Sequence, residues 1–220
     1  FFMVKSAVVP FHFWQPDFHS AAPTPISAML SSVVVKLGVY GFLRMTTLLF
    51  VPQSGTLRGL LIALGIVGVV FGGLTALGTR NAKRMLAYST LAQIGLILVG
   101  IGWGTSIALA AAIVLTVNHS LIKAAMLMLA GAVASRAPIK SAAFANITGV
   151  GKSLPFLGAL FLLGGLALAG IPPTNGFVGK MALFRSGVMG EDYLSLAAIG
   201  IASILTLVYV VRAFQTIWWV

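Results

Sequence analysis

The sequence Gly170-Ile171-Pro172-Pro173-Thr174-Asn175-Gly176 interrupts an apolar stretch that would otherwise suit a membrane helix. No continuous helix tolerates this run, because a proline inside a helix removes an amide donor and clashes with the preceding turn. The segment after it, from Phe177 to Met189, is only about a dozen residues long and carries two basic residues, so it is too short and too charged to span a bilayer alone. We therefore predict one discontinuous helix over residues 154–187, broken at Pro172, Pro173 and Gly176.

The composition places the whole chain in lipid. Of the 220 residues, 59% are hydrophobic and only 8% are charged, which is far from the balance of a soluble domain. At roughly 20 apolar residues per span, this length holds about six or seven crossings. The predicted fold class is an all-α integral membrane protein with about seven transmembrane helices, one of them discontinuous.

The remaining apolar segments are bounded by prolines, glycines and charge clusters. The first is followed by a loop rich in His, Pro and Asp that extends to Pro25. Besides the broken helix, we predict helices over residues 1–14, 26–50, 57–79, 85–103, 105–135 and 193–219. Because the first residues are already apolar and helix-like, we expect the chain to be part of a longer protein.

The net charge of +11 indicates membrane orientation rather than nucleic-acid binding. Basic residues collect in cytoplasmic loops of membrane proteins, and no basic run here is interleaved with aromatic residues. The basic residues concentrate in loops that this rule places in the cytoplasm, namely 80–84 and 136–153, and the 15–25 loop falls on the same side. We expect a prokaryotic plasma (inner) membrane location.

Lys36 lies about ten residues from either end of its predicted helix, or roughly 15 Å from each interface. A charge at that depth costs at least ~2.5 kcal/mol, so the lysine should face a polar cavity or a partner. An ion pathway explains this burial, and a packed structural lysine is the alternative.

The predicted helix over 105–135 carries a polar stripe. Thr116, His119, Ser120 and Lys123 recur at helical spacing, so they share one face near the helix centre. Histidine titrates near neutral pH, so His119 and Lys123 could pass a proton through intervening water. Alternatively, the two side chains satisfy each other or nearby carbonyls.

Lys180 follows the helix break directly. Broken helices at membrane depth expose unpaired backbone groups and recur at transporter sites. An ammonium beside such a break is a candidate ion site, with an interfacial lysine as the alternative. Lys5 cannot be placed in depth from its local sequence.

His12 and His19 flank a loop segment and are expected to line the mouth of a pathway or to cap helix ends. Two histidines are too few for a metal site, and the absence of cysteine excludes disulfides and thiol chemistry. We find no motif of a catalytic centre or cofactor. The only acids are Asp17, Glu191 and Asp192, so no carboxylate is available to pair with the buried lysines.

Several motifs run in one order along nearly the whole chain: Lys5-Ser6-Ala7, Pro10-Phe11-His12-Phe13-Trp14-Gln15-Pro16-Asp17, His19-Ser20-Ala21-Ala22-Pro23-Thr24-Pro25, Lys36-Leu37-Gly38-Val39-Tyr40 with Arg44, Lys83-Arg84-Met85-Leu86-Ala87-Tyr88-Ser89-Thr90, His119 with Lys123, and Gly170 to Phe177 before Lys180. In this pattern the chain resembles the antiporter-like membrane subunits of respiratory complex I, of membrane-bound hydrogenases and of Mrp sodium/proton antiporters. Gln15 departs from the leucine that is usual there.

The resemblance implies a fold of about fourteen helices built from two inverted repeats. Residues 1–50 would form the end of the first repeat, and residues 57–220 would form the second. It also implies that Lys5 pairs with a glutamate upstream of Phe1. Lys36, Lys123 and Lys180, with His119, would continue a hydrated axis through the middle of the membrane.

The resemblance further implies a proton- or sodium-translocating subunit, driven by a redox reaction in an NADH:quinone oxidoreductase-like complex or by an opposing ion gradient. Its expected partners are other membrane subunits, the lipid bilayer and the transported ions, with neither a cofactor of its own nor nucleic acid. Two alternatives stay open: a scaffold subunit without transport, and an independent metabolite transporter in which Lys180 binds an anion.

Overall fold

The computed structural model describes residues 1–220, apart from the side chain of Ser54, and over this range it is helical without any multi-residue strand. The helices, in chain order, are α1 (Phe2–Lys5), α2 (Trp14–Ala21), α3 (Thr24–Met29), α4 (Val35–Arg44), α5 (Ser54–Gly78), α6 (Ala82–Trp103), α7 (Ser106–Arg136), α8 (Phe144–Ile147), α9 (Pro155–Ala169), α10 (Asn175–Met189) and α11 (Tyr193–Phe214). Turns of π-helix at Leu30–Val34, Met45–Leu49 and Gln215–Trp219 join or extend them. The predicted all-α class is confirmed.

Five helices are long and apolar enough to cross a membrane: Thr24–Leu49, Gly55–Gly78, Ala82–Trp103, Ser106–Arg136 and Tyr193–Trp219. They coincide with five of the predicted segments. Large apolar side chains cover much of the outer surface of these helices, which suits contact with lipid. The protein is an integral membrane protein.

The predicted break lies between α9 and α10. Gly170 closes α9 with a left-handed φ of 80°, a conformation that glycine adopts without steric cost. Contacts with α7 show the direction of the two half-helices. Gly164 of α9 lies against Met126, and Asn118 Nδ2 donates to the carbonyl of Asn175 at the start of α10 at 2.9 Å. Near the end of α10, Ser186 bonds Thr105 at 2.8 Å. The two half-helices therefore run in one direction, antiparallel to α7, as one interrupted span.

The predicted helix over residues 1–14 is wrong. The first helix ends at Lys5, and turns continue to Phe13. Pro10 lacks an amide hydrogen and pushes the preceding residue out of helical conformation. The segment predicted as a loop up to Pro25 contains the helix α2. Pro16 fits into the first turn of α2, because the amide groups of that turn have no partner within the helix.

Helix α6 forms the centre of the bundle and is buried along nearly its whole length. Against α5 it packs backbone to backbone: a Cβ added at Gly65 would lie 2.7 Å from the Gly95 carbonyl oxygen. Small residues permit such close approach in membrane proteins. The position of α6 determines which of its polar side chains can face α4, α7 and α9.

Three polar segments meet on one face of the bundle. Lys83 Nζ donates to the Ala22 carbonyl at 3.1 Å, and the Ala82 amide donates to the Ala142 carbonyl at 2.8 Å. Arg84 pairs with Asp17 on the same face. The segments predicted to share a membrane side thus come together.

At the other end of the bundle, Asp192 caps α11. Its carboxylate accepts hydrogen bonds from the Ser195 hydroxyl at 2.6 Å and from the Trp103 indole at 2.8 Å. Partial burial acts to raise the pKa of Asp192, but these hydrogen bonds outweigh it and hold that pKa below its ordinary value. The turn between α10 and α11 is thereby fastened to the end of α6.

Candidate functional site

Lys36, Lys123 and Lys180 are all buried inside the bundle, with exposed fractions of 7%, 0% and 6%. They come from α4, α7 and α10, three helices that are far apart in sequence. In the part of the chain that the structure describes, the one ion pair is Arg84 with Asp17, so these lysines meet carbonyls and hydroxyls instead of carboxylates.

Lys36 and Lys123 lie in one group of polar contacts that includes the hydroxyls of Ser31 and Thr90. Lys36 Nζ donates to the Ser31 carbonyl, and the Ser31 hydroxyl lies 3.0 Å from the Thr90 hydroxyl. Thr90 in turn donates to the Leu86 carbonyl at 3.0 Å, the same oxygen that accepts from Lys123 Nζ at 2.7 Å. Polar groups therefore extend from α4 through α6 to α7, with Ser31 contributing its carbonyl to Lys36 and its hydroxyl to Thr90.

Lys180 caps the last turn of α9. Its Nζ donates to the Leu168 and Ala169 carbonyls at 2.8 and 2.9 Å and to the Ser203 hydroxyl at 3.1 Å. These carbonyls are the groups that a helix leaves without partners at its end, where the helix dipole also favours a cation. The helix break and the lysine are thus one structural unit.

His119 lies one helical turn from Lys123 on α7 and lines a cavity together with Lys180. The ring is buried, and neither nitrogen has a hydrogen-bond partner among the described residues. A cavity of about 10 Å³ is lined by His119, Gln93, Gly176 and Lys180, enough for about one water molecule. Such a water would find hydrogen-bond partners on the His119 ring and on the Gln93 amide.

The polar stripe predicted on α7 divides between two faces. His119 and Lys123 are buried, whereas Thr116 and Ser120 are half-buried and donate to the carbonyls of Ala112 and Thr116 on their own helix. Thr116 also lines a largely apolar cavity of about 130 Å³ together with Lys36. The structure therefore brings Thr116 to Lys36 rather than to His119.

The remaining predicted residues lie around this group. His19 is fully buried with both ring nitrogens unpartnered among the described residues. His12 is buried against the rings of Phe13 and Phe71, at 4.4 and 4.8 Å between centroids. Lys5 is half-exposed, with its Nζ 6.0 Å from the Phe1 ring centroid.

Four polar residues that contact the buried lysines or lie beside them were not predicted from the sequence as site residues: Ser31, Thr90, Gln93 and Ser203. Gln93 Nε2 donates to the Leu168 carbonyl at 3.3 Å, which places it beside Lys180. Thr90 and Gln93 are three residues apart on α6 and so share a face. That spacing was the available signal, and Lys83, seven residues before Thr90, lies on the same face of α6.

Known proteins resemble this chain in sequence and in fold. A family model described as "NADH:quinone oxidoreductase/Mrp antiporter, TM" matches residues 1–206. The chain is 34% identical to NAD(P)H-quinone oxidoreductase chain 4-2 of Synechocystis over 99% of its length and 40% of that protein's. It is 33% identical to NAD(P)H-quinone oxidoreductase chain 4 3 of Picosynechococcus over 97% of this chain and 40% of the relative.

Two solved structures share the fold. A chain of the membrane-bound sulfane sulfur reductase, an archaeal respiratory membrane complex, superposes with a TM-score of 0.92 at 33% identity, over 99% of this chain and 45% of its own. A chain of the Mrp complex from Dietzia superposes with a TM-score of 0.92 at 27% identity, over 99% and 40%. The chain thus spans about 40% of the length of the curated relatives it matches.

Proposed function

Because the chain belongs to the NADH:quinone oxidoreductase/Mrp antiporter transmembrane family, we propose that it forms part of a proton- or sodium-translocating membrane subunit of a multisubunit complex. Residues 1–50 end the first inverted repeat and residues 57–220 form the second. Other membrane subunits supply the driving reaction or the opposing gradient. The protein lies in a prokaryotic plasma membrane, with segments 15–25, 80–84 and 136–153 facing the cytoplasm.

The observation that carries the proposal is the polar connection between the buried lysines. Burying an ionisable side chain in the membrane costs free energy, and such residues usually mark ion pathways. Three of them occur here in one bundle, and hydroxyls and a histidine lie between them. A scaffold subunit would have no use for this burial.

The connection suggests how a proton moves. A proton that passes between Lys36 and Lys123 would need water as a carrier, because Lys36 bonds the carbonyl of Ser31 and not its hydroxyl, and Thr90 and Lys123 both donate to the Leu86 carbonyl. The hydroxyls of Ser31 and Thr90, which can each donate or accept, would bind that water. His119 is one helical turn from Lys123 and can hold a proton on either free nitrogen. The cavity that His119 shares with Lys180 would continue the path to the helix break. His19 and His12 are assigned to the mouth of the pathway.

The alternative of an anion transporter gains no support from Lys180. An ammonium has three hydrogens, and all three are used by Leu168, Ala169 and Ser203. A bound anion would have to replace contacts that hold the end of α9. The geometry favours an ion relay over an anion site.

The test replaces Lys123 with alanine, and separately with methionine to keep the side-chain volume, in the full-length protein within its complex. We expect ion movement into vesicles, followed with pH- and sodium-sensitive dyes, to fall about a hundredfold, the scale on which a positioned proton carrier acts. Lys152→Ala, at an exposed lysine, is the matched control and should transport normally.

Assembly is measured in parallel on native gels and by mass spectrometry of the co-purifying subunits. Loss of transport in an intact complex supports the proposed axis. Unchanged transport in both Lys123 variants contradicts it. A wild-type complex that moves neither ion would favour the scaffold function.

A further inference from the structure

A polar cavity of about 360 Å³ lies on the face of the bundle where α7 ends and α6 begins. It is separate from the buried lysine group. Its walls come from three segments: the connector between α2 and α3, the end of α7 with the connector that follows, and Lys83 at the start of α6. Backbone contacts between these segments fix the walls, because the Ala82 amide binds the Ala142 carbonyl and Lys83 binds the Ala22 carbonyl.

The cavity carries positive charge and free donors. Lys83 Nζ uses one of its three hydrogens on Ala22, and Lys140 Nζ makes no hydrogen bond to the residues that the structure describes. The Ser141 oxygen accepts from the Ala143 amide at 3.3 Å, which leaves its hydroxyl hydrogen available. Two ammonium groups and a hydroxyl therefore face one space.

No carboxylate lines this cavity among the described residues. The chain has only three acids: Asp17 is paired with Arg84, and Glu191 and Asp192 lie in the turn between α10 and α11, at the other end of the bundle. The two lysines thus have no internal counter-ion. An external anion would complete the charge balance.

The depth of the cavity indicates which anion. Lys83 is the second residue of α6 and Ser135 is the second last of α7, so the cavity lies where two membrane-spanning helices reach the headgroup region. Basic pockets between transmembrane helices at this level suit phosphate-bearing headgroups. We propose that this cavity binds a phosphate group, presented by an anionic phospholipid or by a soluble phosphate.

The site would hold its ligand through charge-assisted hydrogen bonds from Lys83 and Lys140 and a further bond from Ser141. Bonds in which both partners are charged are the stronger kind. A bound phosphate would join the start of α6 to the connector that follows α7. Binding is independent of ion transport and can be measured without it.

The experiment titrates the detergent-solubilised full-length complex with dihexanoyl phosphatidylglycerol, dihexanoyl phosphatidylcholine and sodium phosphate. We expect saturable binding of phosphatidylglycerol, with a Kd at least fivefold below that for phosphatidylcholine. Equal binding of free phosphate would identify a soluble ligand, and preference for phosphatidylglycerol over phosphate would identify the lipid. Both results support the site.

Two matched pairs of variants locate the binding. Lys140→Gln should weaken the Kd at least fivefold and Lys140→Glu should abolish binding, whereas Lys152→Gln and Lys152→Glu, at an exposed lysine outside the cavity, should bind like the wild type. Equal losses in the Lys140 and Lys152 variants would overturn the proposal, since they would show only a general surface charge effect. So would the absence of saturable binding of any of the anionic probes.

Discussion

Thr90 lies between the contacts of Lys36 and those of Lys123. Its hydroxyl reaches Ser31 on one side and the carbonyl that holds Lys123 on the other. Both bonds are buried, where the loss of a partner is more costly than at a surface. The residue therefore tests the connection without altering any ionisable group.

Thr90→Val keeps the shape of the side chain and removes both hydroxyl bonds. We expect ion movement to slow about tenfold, because the two buried hydrogen bonds are worth roughly 0.5–1.5 kcal/mol each and 1.4 kcal/mol is a factor of ten in rate. Thr75→Val is the control, since the Thr75 hydroxyl bonds only to carbonyls of its own helix. Equal rates in the two variants, measured in the same vesicles, would rule out the Thr90 connection.

The sequence revealed the buried lysines but not their partners. Depth singled out Lys36 and a polar stripe at helical spacing singled out Lys123, because polar and charged groups are costly in lipid whatever surrounds them. Hydroxyls give no comparable signal, since serine and threonine in helices commonly bond to their own backbone, as Thr116 and Ser120 do. The roles of Ser31 and Thr90 depend on how α4 packs on α6, which a single sequence does not specify.

At the scale of helices, the broken span is the element that the sequence predicted best. Its prolines exclude a continuous helix, and the structure stops α9 at Ala169 and starts α10 at Asn175. The first segment was predicted worst, because its apolar composition continues through turns that Pro10 and its neighbours impose. Hydropathy locates segments in lipid but does not distinguish a helix from an extended connection buried in protein.

Gly176 fixes the distance between the two half-helices. A Cβ at this position would overlap the Ala167 carbonyl oxygen in the last turn of α9. We expect Gly176→Ala to push α10 away, to move Lys180 from its carbonyls and to cost about 1–3 kcal/mol, as overpacking does.

Gly200→Ala is the matched control, because an added Cβ there meets nothing within 4 Å and alanine is the better helix former. Thermal unfolding of the purified complex compares the two variants. If Gly176→Ala were as stable as Gly200→Ala, the close contact between the half-helices would not be required.

At the scale of the molecule, charge divides the bundle into two faces. One face gathers the basic segments around Lys83 and the cavity, and the other carries Glu191 and Asp192. The positive-inside bias assigns the first face to the cytoplasm. Only the broken helix separates Lys152 from Glu191 in sequence, so these two positions report both orientation and whether α9 and α10 cross the membrane as one span.

The absence of cysteine from these 220 residues permits a direct topology test. Lys152→Cys and Glu191→Cys place single thiols at exposed positions, and a membrane-impermeant maleimide is applied to inverted and right-side-out vesicles, with the unsubstituted protein as the background. We expect Lys152→Cys to react only in inverted vesicles and Glu191→Cys only in right-side-out ones, while both react in detergent. The reverse pattern would refute the proposed orientation but keep the single span. Labelling of both thiols from the same side would instead mean that α9 and α10 turn back as a re-entrant hairpin, because a chain that crosses the bilayer once must leave its two ends on opposite faces.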